Sequence, residues 1–522
     1  MTIEITLTNA PASYGEQVML NVLVDDGDGG LRVVALGMSS VDARQWSYVL
    51  RDVDTRQTPH LDFFFTVMGA GSESRREKSP VAHRLDLGQS CHERVAVYAR
   101  WTDVADNSLR YYTTAFTECL EPHRRQRPGL KSWRRVLRIV ARAPQLRGGE
   151  RLVMSVGDKA AAPTADRVIA MTEHSVCEWQ ADINAETVED TLHFRLAAQD
   201  ADGGLHWETA SERHVAIAQM QAGGMAVHEV EPAQFDVPDR VLRTRRLSMS
   251  TLANADNCSM GDFGDLAMCV AQARSEGLDM LCLHPLNDTT STHTSADATP
   301  YSSVSVFALH PLFLDVRQLA AVADPAERSI LDGARSELGS RPFDYMRTVE
   351  LKLRWLHDVF AQEGDRAMHS AAFRHFFAAN ERWLVPYAQY SYLRDAYATP
   401  DFRSWPNHRE WTEAERGQLQ NSRTKAYKKL AFIYYTQFVL HQQLRRVHDE
   451  AVAAGVVLCG DLTANLNSSG CDLWCGQPDV DSDEWWRLRL DIMSQYFDAC
   501  HVAEKIMRRQ EVVLSTHLFV FS

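Results

Sequence analysis

The stretch GDFGDLAMCVAQARSEGLDMLCLHPL, residues 261–286, joins a helix pattern to a buried-strand pattern. Apolar residues recur at helical spacing in its first part, and its end, DMLCLHPL from Asp279, is a short apolar run. The run RRLSMS from Arg245 comes before it and predicts another strand. Strand, helix and strand in this order are typical of parallel βα units.

The same alternation returns towards the end of the chain. Residues from about 315 to 450 have a strongly helical pattern, GVVLCGDL from Gly455 is a buried strand, EWWRLRLDIMSQ from Glu484 is a helix, and YFDACHV from Tyr496 is a last strand. We therefore predict at most four strands of the βα type: Arg246–Ser250, Asp279–Leu286, Val456–Leu462 and Tyr496–Val502.

The first 230 residues have a different pattern of short alternating or β-branched runs, such as VMLNVLV, LDFFFTVM and VLRIVAR, separated by turn residues. This pattern predicts two antiparallel β-sandwich modules, residues 1–122 and residues 136–232. A third region, residues 243–522, would hold the βα units and a helical insertion at about 318–450. The fold class is therefore multidomain.

Composition narrows the classes of partner. The formal net charge is −14 and the pI is about 5.8, which argues against general binding to nucleic acid or to an anionic membrane surface. The first residues, MTIEITLTNAPASYGEQ, lack the basic and apolar pattern of a signal peptide, so we expect a cytoplasmic protein with reduced cysteines. We find no P-loop, dinucleotide fingerprint or zinc motif, and we expect no cofactor and no metal.

Several segments then occur in a recognisable order. They are GDFGDL (261–266), LHPLNDT (283–289), PYSSVSVFALHPLFLDV (300–316), ERWLVPYAQYSYLRDAY (381–397), GVVLCGDL (455–462) and EWWRLRLDIMSQYF (484–497). In order and spacing the sequence resembles the amylomaltase or disproportionating-enzyme family of 4-alpha-glucanotransferases, glycoside hydrolase family 77. The resemblance is greatest to the cytosolic type of plants and protists, which carries two N-terminal starch-binding modules.

The resemblance implies a (β/α)₈ TIM-type barrel, here partial, that binds sugar at the carboxyl ends of its strands. The family breaks an α-1,4 glucosidic bond, keeps the glucosyl group as a covalent ester and passes it to another sugar. This retaining scheme needs two carboxyl groups about 5 Å apart, one as the nucleophile and one as the acid/base.

The expected nucleophile position holds the wrong chemistry. Where the family reads Arg-Ile-Asp-His, this chain reads His501, Val502, Ala503 and Glu504, and the methyl group of Ala503 cannot form a glycosyl ester. Glu504 is expected to point away, because alternate residues of a strand face opposite sides. Residues 504–522 resemble none of the family's later motifs, so we expect the acid/base carboxylate to be absent too. We assign no catalytic residue.

The residues expected to bind sugar match the family's motifs better than the nucleophile position does. Asp461 matches a family carboxylate at the sugar subsite, although an Asp after a strand also caps loops. Tyr301 and Ser302 match the sugar-contacting loop, with a packed Tyr as the alternative. Asp472 and Trp474 also fit the family pattern, and Trp474 would either stack on a sugar or fill space at the end of the barrel.

The second β module carries a separate candidate site. Its stretch LHWETASERHV resembles a starch-binding motif, and Trp207 with Glu208 would hold glucose through ring stacking and hydroxyl contacts. In the first module SRREKS occupies the equivalent place, so binding there is not expected.

Three functions remain open from the sequence. The first is an α-1,4-glucan or maltooligosaccharide binder of starch or glycogen metabolism that has lost catalysis. The second is an active glucanotransferase whose carboxylates come from elsewhere, and the third is a protein-interaction scaffold. Half a barrel would expose strand edges, so either the helical insertion covers them, or self-association or a partner chain completes the barrel, or the chain folds poorly alone.

Overall fold

The structure, a computed structural model, divides into two compact units, residues Met1–Arg240 and a second unit that begins at Val241. It describes the whole chain except residues 26–30, 43, 70, 89–91, 124, 127–130, 132, 158–167, 211, 218–223, 239, 413, 415–416, 418, 463–465, 477–482, 503–518 and 522. Among the helices so described, none combines the length and the apolar character that crossing a bilayer requires.

The first unit is built from short strands. They are β1 (Thr2–Thr8), β2 (Gln17–Asp25), β3 (Leu31–Gly37), β4 (Ser39–Ser40), β5 (Trp46–Leu50), β6 (His60–Gly69), β7 (Ser72–Arg76), β8 (His83–Asp86), β9 (Arg94–Arg100), β10 (Val136–Arg142), β11 (Arg151–Gly157), β12 (Val168–Ala170), β13 (Thr172–Ser175), β14 (Glu178–Asn184), β15 (Thr191–Gln199), β16 (Leu205–Trp207), β17 (Arg213–Ala216) and β18 (Met225–Glu229).

The two stretches predicted as separate modules share one sheet. Its order is β13-β14-β10-β18-β9-β1-β5-β4, and β9 pairs with β18 in parallel, with Val97 opposite Val227. Each stretch also has its own smaller sheet, β3-β2-β6-β7 with β8, and β12-β11-β15-β16 with β17. The division into two modules, residues 1–122 and 136–232, stays a prediction. The parallel pairing of β9 with β18, which joins the two stretches, leaves no local pattern in the sequence.

The buried side chain of His83 links the two stretches. Its Nε2 lies 3.1 Å from Glu77 Oε1, and its Nδ1 lies 2.9 Å from Glu229 Oε1. Burial lowers the pKa of this side chain, His83, but the charges of Glu229 and Glu77 raise it to about 10. His83 is therefore held as a cation between carboxylates from both halves of the unit.

The second unit alternates strands with helices. Its elements are β19 (Thr244–Leu247), α1 (Phe263–Ser275), β20 (Met280–Leu283), α2 (Pro325–Gly339), α3 (Tyr345–Met368), α4 (Ala371–Tyr397), α5 (Lys425–Ala454), β21 (Val457–Leu462), α6 (Cys471–Trp474), α7 (Asp483–Met493), β22 (Ala499–Val502) and β23 (Phe519–Phe521). Asp262 caps α1 by accepting hydrogen bonds from the N–H groups of Gly264 and Asp265.

The strands of this unit form a parallel sheet in the order β19-β20-β21-β22-β23. The prediction of at most four strands is wrong, since β23 adds a fifth beside β22. A three-residue strand is too short to show a period in the sequence. The predicted bounds of β20, β21 and β22 are too wide, and β19 begins and ends earlier than predicted. β20 stops before Pro285, because proline has no N–H to continue the ladder.

The helices of residues 325–454 hold the segment that follows β20. Gln437, on α5, accepts a hydrogen bond from the N–H of Leu309 and donates one to its carbonyl, each at 2.9 Å. Gln443 makes the same pair of bonds with Asp315, again at 2.9 Å. Both glutamines are buried, so α5 acts as a hydrogen-bonding partner for a backbone that lies outside any sheet.

Candidate functional site

The carboxyl end of the parallel sheet gathers polar side chains. His284 directly follows β20. Its backbone N–H donates to the carbonyl of Leu247 at the end of β19. The hydroxyl of Tyr301 lies 3.4 Å from His284 Nδ1, and the Tyr301 side chain is 42% exposed. An exposed ring at the ends of parallel strands is where a βα sheet presents a ligand site.

The loop that carries Tyr301 and Ser302 is anchored at both ends. Val304 donates its N–H to the carbonyl of Asp288 and accepts at its own carbonyl from Cys471, at 2.8 and 2.7 Å. Asn467 donates to the Ser302 hydroxyl at 3.3 Å. The loop therefore has few free torsions to lose on binding, which lowers the entropic cost of holding a ligand.

Asp288 fixes the start of that loop from inside. Its carboxylate accepts hydrogen bonds from Tyr387 on α4, at 2.8 Å, and from the hydroxyl of Thr290, at 2.7 Å. Asp288 is 2% exposed. It therefore positions the loop and does not face a ligand.

Asp461 lies on β21, half-buried, beside a small cavity of about 30 Å³. His284, Asn287 and the buried Arg489 of α7 line the same cavity. This volume holds about one water molecule. Burial lowers the pKa of Arg489 to about 10, against the opposing charges of nearby groups that include Asp472 and Asp461.

His284 and Arg489 were not among the site residues predicted from the sequence. The sequence does point to His284 as a candidate, since it is the first polar residue after a buried strand. Nothing in the sequence points to Arg489, because an arginine in an amphipathic helix is usually solvent-exposed and only the packing of α7 buries it.

Asp472 and Trp474 lie on α6 and are both 3% exposed. Asp472 Oδ2 accepts the N–H of Val306 at 2.8 Å, and burial raises the pKa of its carboxyl to about 6. The indole N–H of Trp474 donates to the carbonyl of His408, and the ring packs against Trp405 at 5.7 Å between centroids. In this structure both side chains contact other protein groups. For Trp474 this arrangement matches the second of its two predicted roles, filling space.

Trp207 lies in the first unit at the end of β16, half-buried, opposite Ala197 of β15. The guanidinium carbon of Arg195 lies 5.3 Å from the centre of its ring. Arg195 is held there by the carbonyls of Ala210 and Glu208, at 2.9 and 2.8 Å. One face of the indole is thus covered by a fixed cation.

Glu208 is 1% exposed, unlike the sugar-contacting residue expected from the sequence. Its carboxylate accepts hydrogen bonds from the N–H of Leu196 at 2.9 Å and from the guanidinium of Arg213 at 2.5 Å. The guanidinium and the backbone N–H together offset the cost of burying this carboxylate. In this structure Glu208 supports the strand ends next to Trp207.

Ala503, at the expected nucleophile position, lies outside the described residues, as do Glu504 and the segment 463–465. The described residues contain no group of three or more His, Cys, Asp or Glu side chains that could hold a metal ion.

Known proteins are similar to the region that contains β20 and β21. The family model of the 4-alpha-glucanotransferases matches residues 247–485. This region resembles a 4-alpha-glucanotransferase. The 4-alpha-glucanotransferase DPE2 of Oryza sativa subsp. japonica is 29% identical over 284 residues, which are 48% of this chain and 30% of that protein. A 4-alpha-glucanotransferase of Chlamydia pneumoniae is 27% identical over 230 residues, which are 44% of this chain and 42% of that protein.

The chain thus spans less than half the length of these two 4-alpha-glucanotransferases. Among solved structures, amylomaltase from Streptococcus agalactiae in complex with acarbose is similar with a TM-score of 0.41 and 14% identity, covering 51% of this chain and 59% of that one. Amylomaltase from Corynebacterium glutamicum also gives a TM-score of 0.41 at 14% identity, covering 68% of this chain and 52% of that one.

Proposed function

We propose that this chain binds α-1,4-glucan or maltooligosaccharide and does not transfer glucosyl units. The observation that carries the binding half is the anchored loop of Tyr301 and Ser302 beside the strand ends that hold His284 and Asp461. An exposed ring beside hydroxyl, imidazole and carboxylate groups suits a sugar, which has an apolar face and polar edges. The resemblance of residues 247–485 to 4-alpha-glucanotransferases supports the choice of an α-glucan.

The loss of catalysis rests on one position. Asp461 pairs with His501 across β21 and β22, and Ala503 follows two residues later, where the resemblance calls for the nucleophilic carboxylate. A retaining transfer requires an ester between the sugar and a carboxylate of the enzyme. An alanine has no atom that can form that bond.

Trp207 would provide a second glucan contact in the first unit. Its ring is only half-buried, with Arg195 beside it, and a pyranose would stack on the exposed part of the indole. Such a site holds the polymer, and the strand-end site holds one chain end. In the described part of the parallel sheet, β19 and β23 are the edges, and self-association or a partner chain would cover them.

Sedimentation with glycogen tests the binding half. Wild-type protein should pellet with glycogen, and Trp207→Ala should lower the bound fraction by about tenfold, the loss expected for one aromatic contact. Tyr14→Ala is the matched control, because Tyr14 is a fully exposed aromatic residue of the same unit. Wild-type protein that stays in the supernatant, or equal loss in both variants, would overturn the proposal.

A further inference from the structure

Two cysteines lie directly opposite each other in the parallel sheet. Cys282 of β20 is the register partner of Cys459 of β21. Neighbouring strands are about 4.8 Å apart. A disulfide joins residues whose Cα atoms are about 4.4–6.8 Å apart, and the spacing of neighbouring strands lies within this range.

Both side chains point to the same side of the sheet. Leu281, Leu283 and Leu458, which alternate with the two cysteines, belong to the main hydrophobic core of the unit. Because successive side chains of a strand face opposite sides, the thiols lie together on the other face. The Cys459 thiol donates to the carbonyl of Gly460, at 3.3 Å.

The surroundings favour reaction at Cys282. The neighbouring Cys459 thiol lowers the pKa of the Cys282 thiol and burial opposes this effect, while the positive charge of Arg246 lowers the pKa and the negative charge of Asp461 raises it. Arg246 is the register partner of Cys282 on β19. Cys282 is half-buried whereas Cys459 is buried, so an oxidant meets Cys282 first.

We propose that Cys282 and Cys459 form a reversible disulfide when the chain meets a peroxide. The Cys282 thiolate attacks one oxygen of hydrogen peroxide, the O–O bond breaks, and a sulfenic acid and hydroxide form. The Cys459 thiol then attacks the sulfenic sulfur, the S–O bond breaks, and water leaves as the S–S bond forms. The proton of Cys459 ends on the hydroxyl that departs, and a dithiol reductant reverses the change by exchange.

The crosslink would tie the two halves of the second unit together. All of α2 to α5 lies between Cys282 and Cys459 in the chain. Closing so long a loop restricts the unfolded chain and raises the unfolding midpoint, here by roughly 10 °C. The modification therefore couples the oxidation state to the stability of the sheet that carries Asp461.

Peptide mapping of the oxidised full-length chain tests the proposal. The protein is treated with hydrogen peroxide, alkylated, and digested with trypsin and then with a protease that cleaves before Asp. Cleavage before Asp279, Asp288, Asp449 and Asp461 releases residues 279–287 and 449–460, each with one cysteine. This digestion separates Cys459 from Cys471 and Cys475, which lie at the two ends of α6.

The expected product is peptide 279–287 linked to 449–460 in the oxidised sample, and its loss after dithiothreitol. Cys459→Ser should leave Cys282 as an unlinked oxidised residue, while Cys269→Ser, which removes another half-buried thiol, should keep the link. Alkylated, unlinked Cys282 and Cys459 in oxidised wild-type protein would overturn the proposal, as would a link that forms only in urea. The wild-type map decides the matter even if a variant folds poorly.

Discussion

Asp472 Oδ2 accepts the backbone N–H of Val306 at 2.8 Å, a bond between residues 166 positions apart. It joins α6 to the segment that begins with the Tyr301 loop. Because both groups are buried, neither has water as a replacement partner. The candidate strand-end site therefore depends on a bond that no ligand touches.

Substitution of Asp472 separates its charge from its hydrogen bond. Asp472→Ala leaves the Val306 N–H without an acceptor and should lower the free energy of unfolding by about 2 kcal/mol. Asp472→Asn keeps an acceptor and should be tolerated. Since the pKa of this carboxyl is raised to about 6, the folded state favours its protonated form, and its contribution to stability falls as pH rises from about 4 to 6. Urea unfolding at pH 4.5 and 7 measures this, and an Asn variant with the same pH dependence as wild type would contradict it.

Gln443 provides a matched test of the contact between α5 and the loop. Gln443→Ala removes both hydrogen bonds to the buried backbone of Asp315 and should lower the free energy of unfolding by about 3 kcal/mol. The neighbouring Gln442 is exposed, and Gln442→Ala should change it by less than about 0.5 kcal/mol. Equal effects in chemical denaturation would show that the backbone bonds of Gln443 do not matter.

His83 makes the first unit sensitive to alkali. Its pKa is raised to about 10 against an ordinary value near 6.5, so its stabilising contribution is complete below about pH 6.5 and is lost as pH rises towards 10. His83→Gln should cost about 3 kcal/mol at pH 7, because Glu77 and Glu229 lose their buried cation. Thermal unfolding should show the gap between wild type and His83→Gln closing between pH 7 and 10. A gap of constant size would argue against a protonated His83.

Tyr301 should contribute to maltooligosaccharide affinity without contributing to the fold. Tyr301→Ala is expected to weaken maltotriose binding about tenfold through the loss of ring contact, with an unchanged unfolding midpoint. Phe343, 38% exposed in the same unit against 42% for Tyr301, is the control. Isothermal titration of both Ala variants checks this, and a wild-type affinity in Tyr301→Ala would remove it from the site.

The local patterns in the sequence were enough to predict β20 and β21, since each is a short apolar run with Gly or Pro near its ends. They also predicted helices over the stretch that α2 to α5 occupy. They did not reveal that β9 and β18 join two stretches into one sheet, because a strand's sequence does not name its neighbour.

The candidate site, like the fold, could be predicted only in part from the sequence. The resemblance to known motifs predicts Tyr301, Ser302 and Asp461 as sugar-binding residues, and their role stays a prediction. The burial of Glu208 could not be foreseen, because it follows from the register that places Leu196 and Arg213 around its carboxylate. Arg489 was missed for a similar reason, as only packing decides whether an arginine in an amphipathic helix faces water.

Glucose release from maltotriose by the purified chain, measured in the same tube as its binding to glycogen, tests whether the chain binds glucan without transferring glucosyl units. We expect glycogen binding with no glucose above the level of a protein-free control, because Ala503 cannot form the glycosyl ester. Glucose released in proportion to protein concentration would contradict it, and would direct attention to Glu504 as a substitute nucleophile.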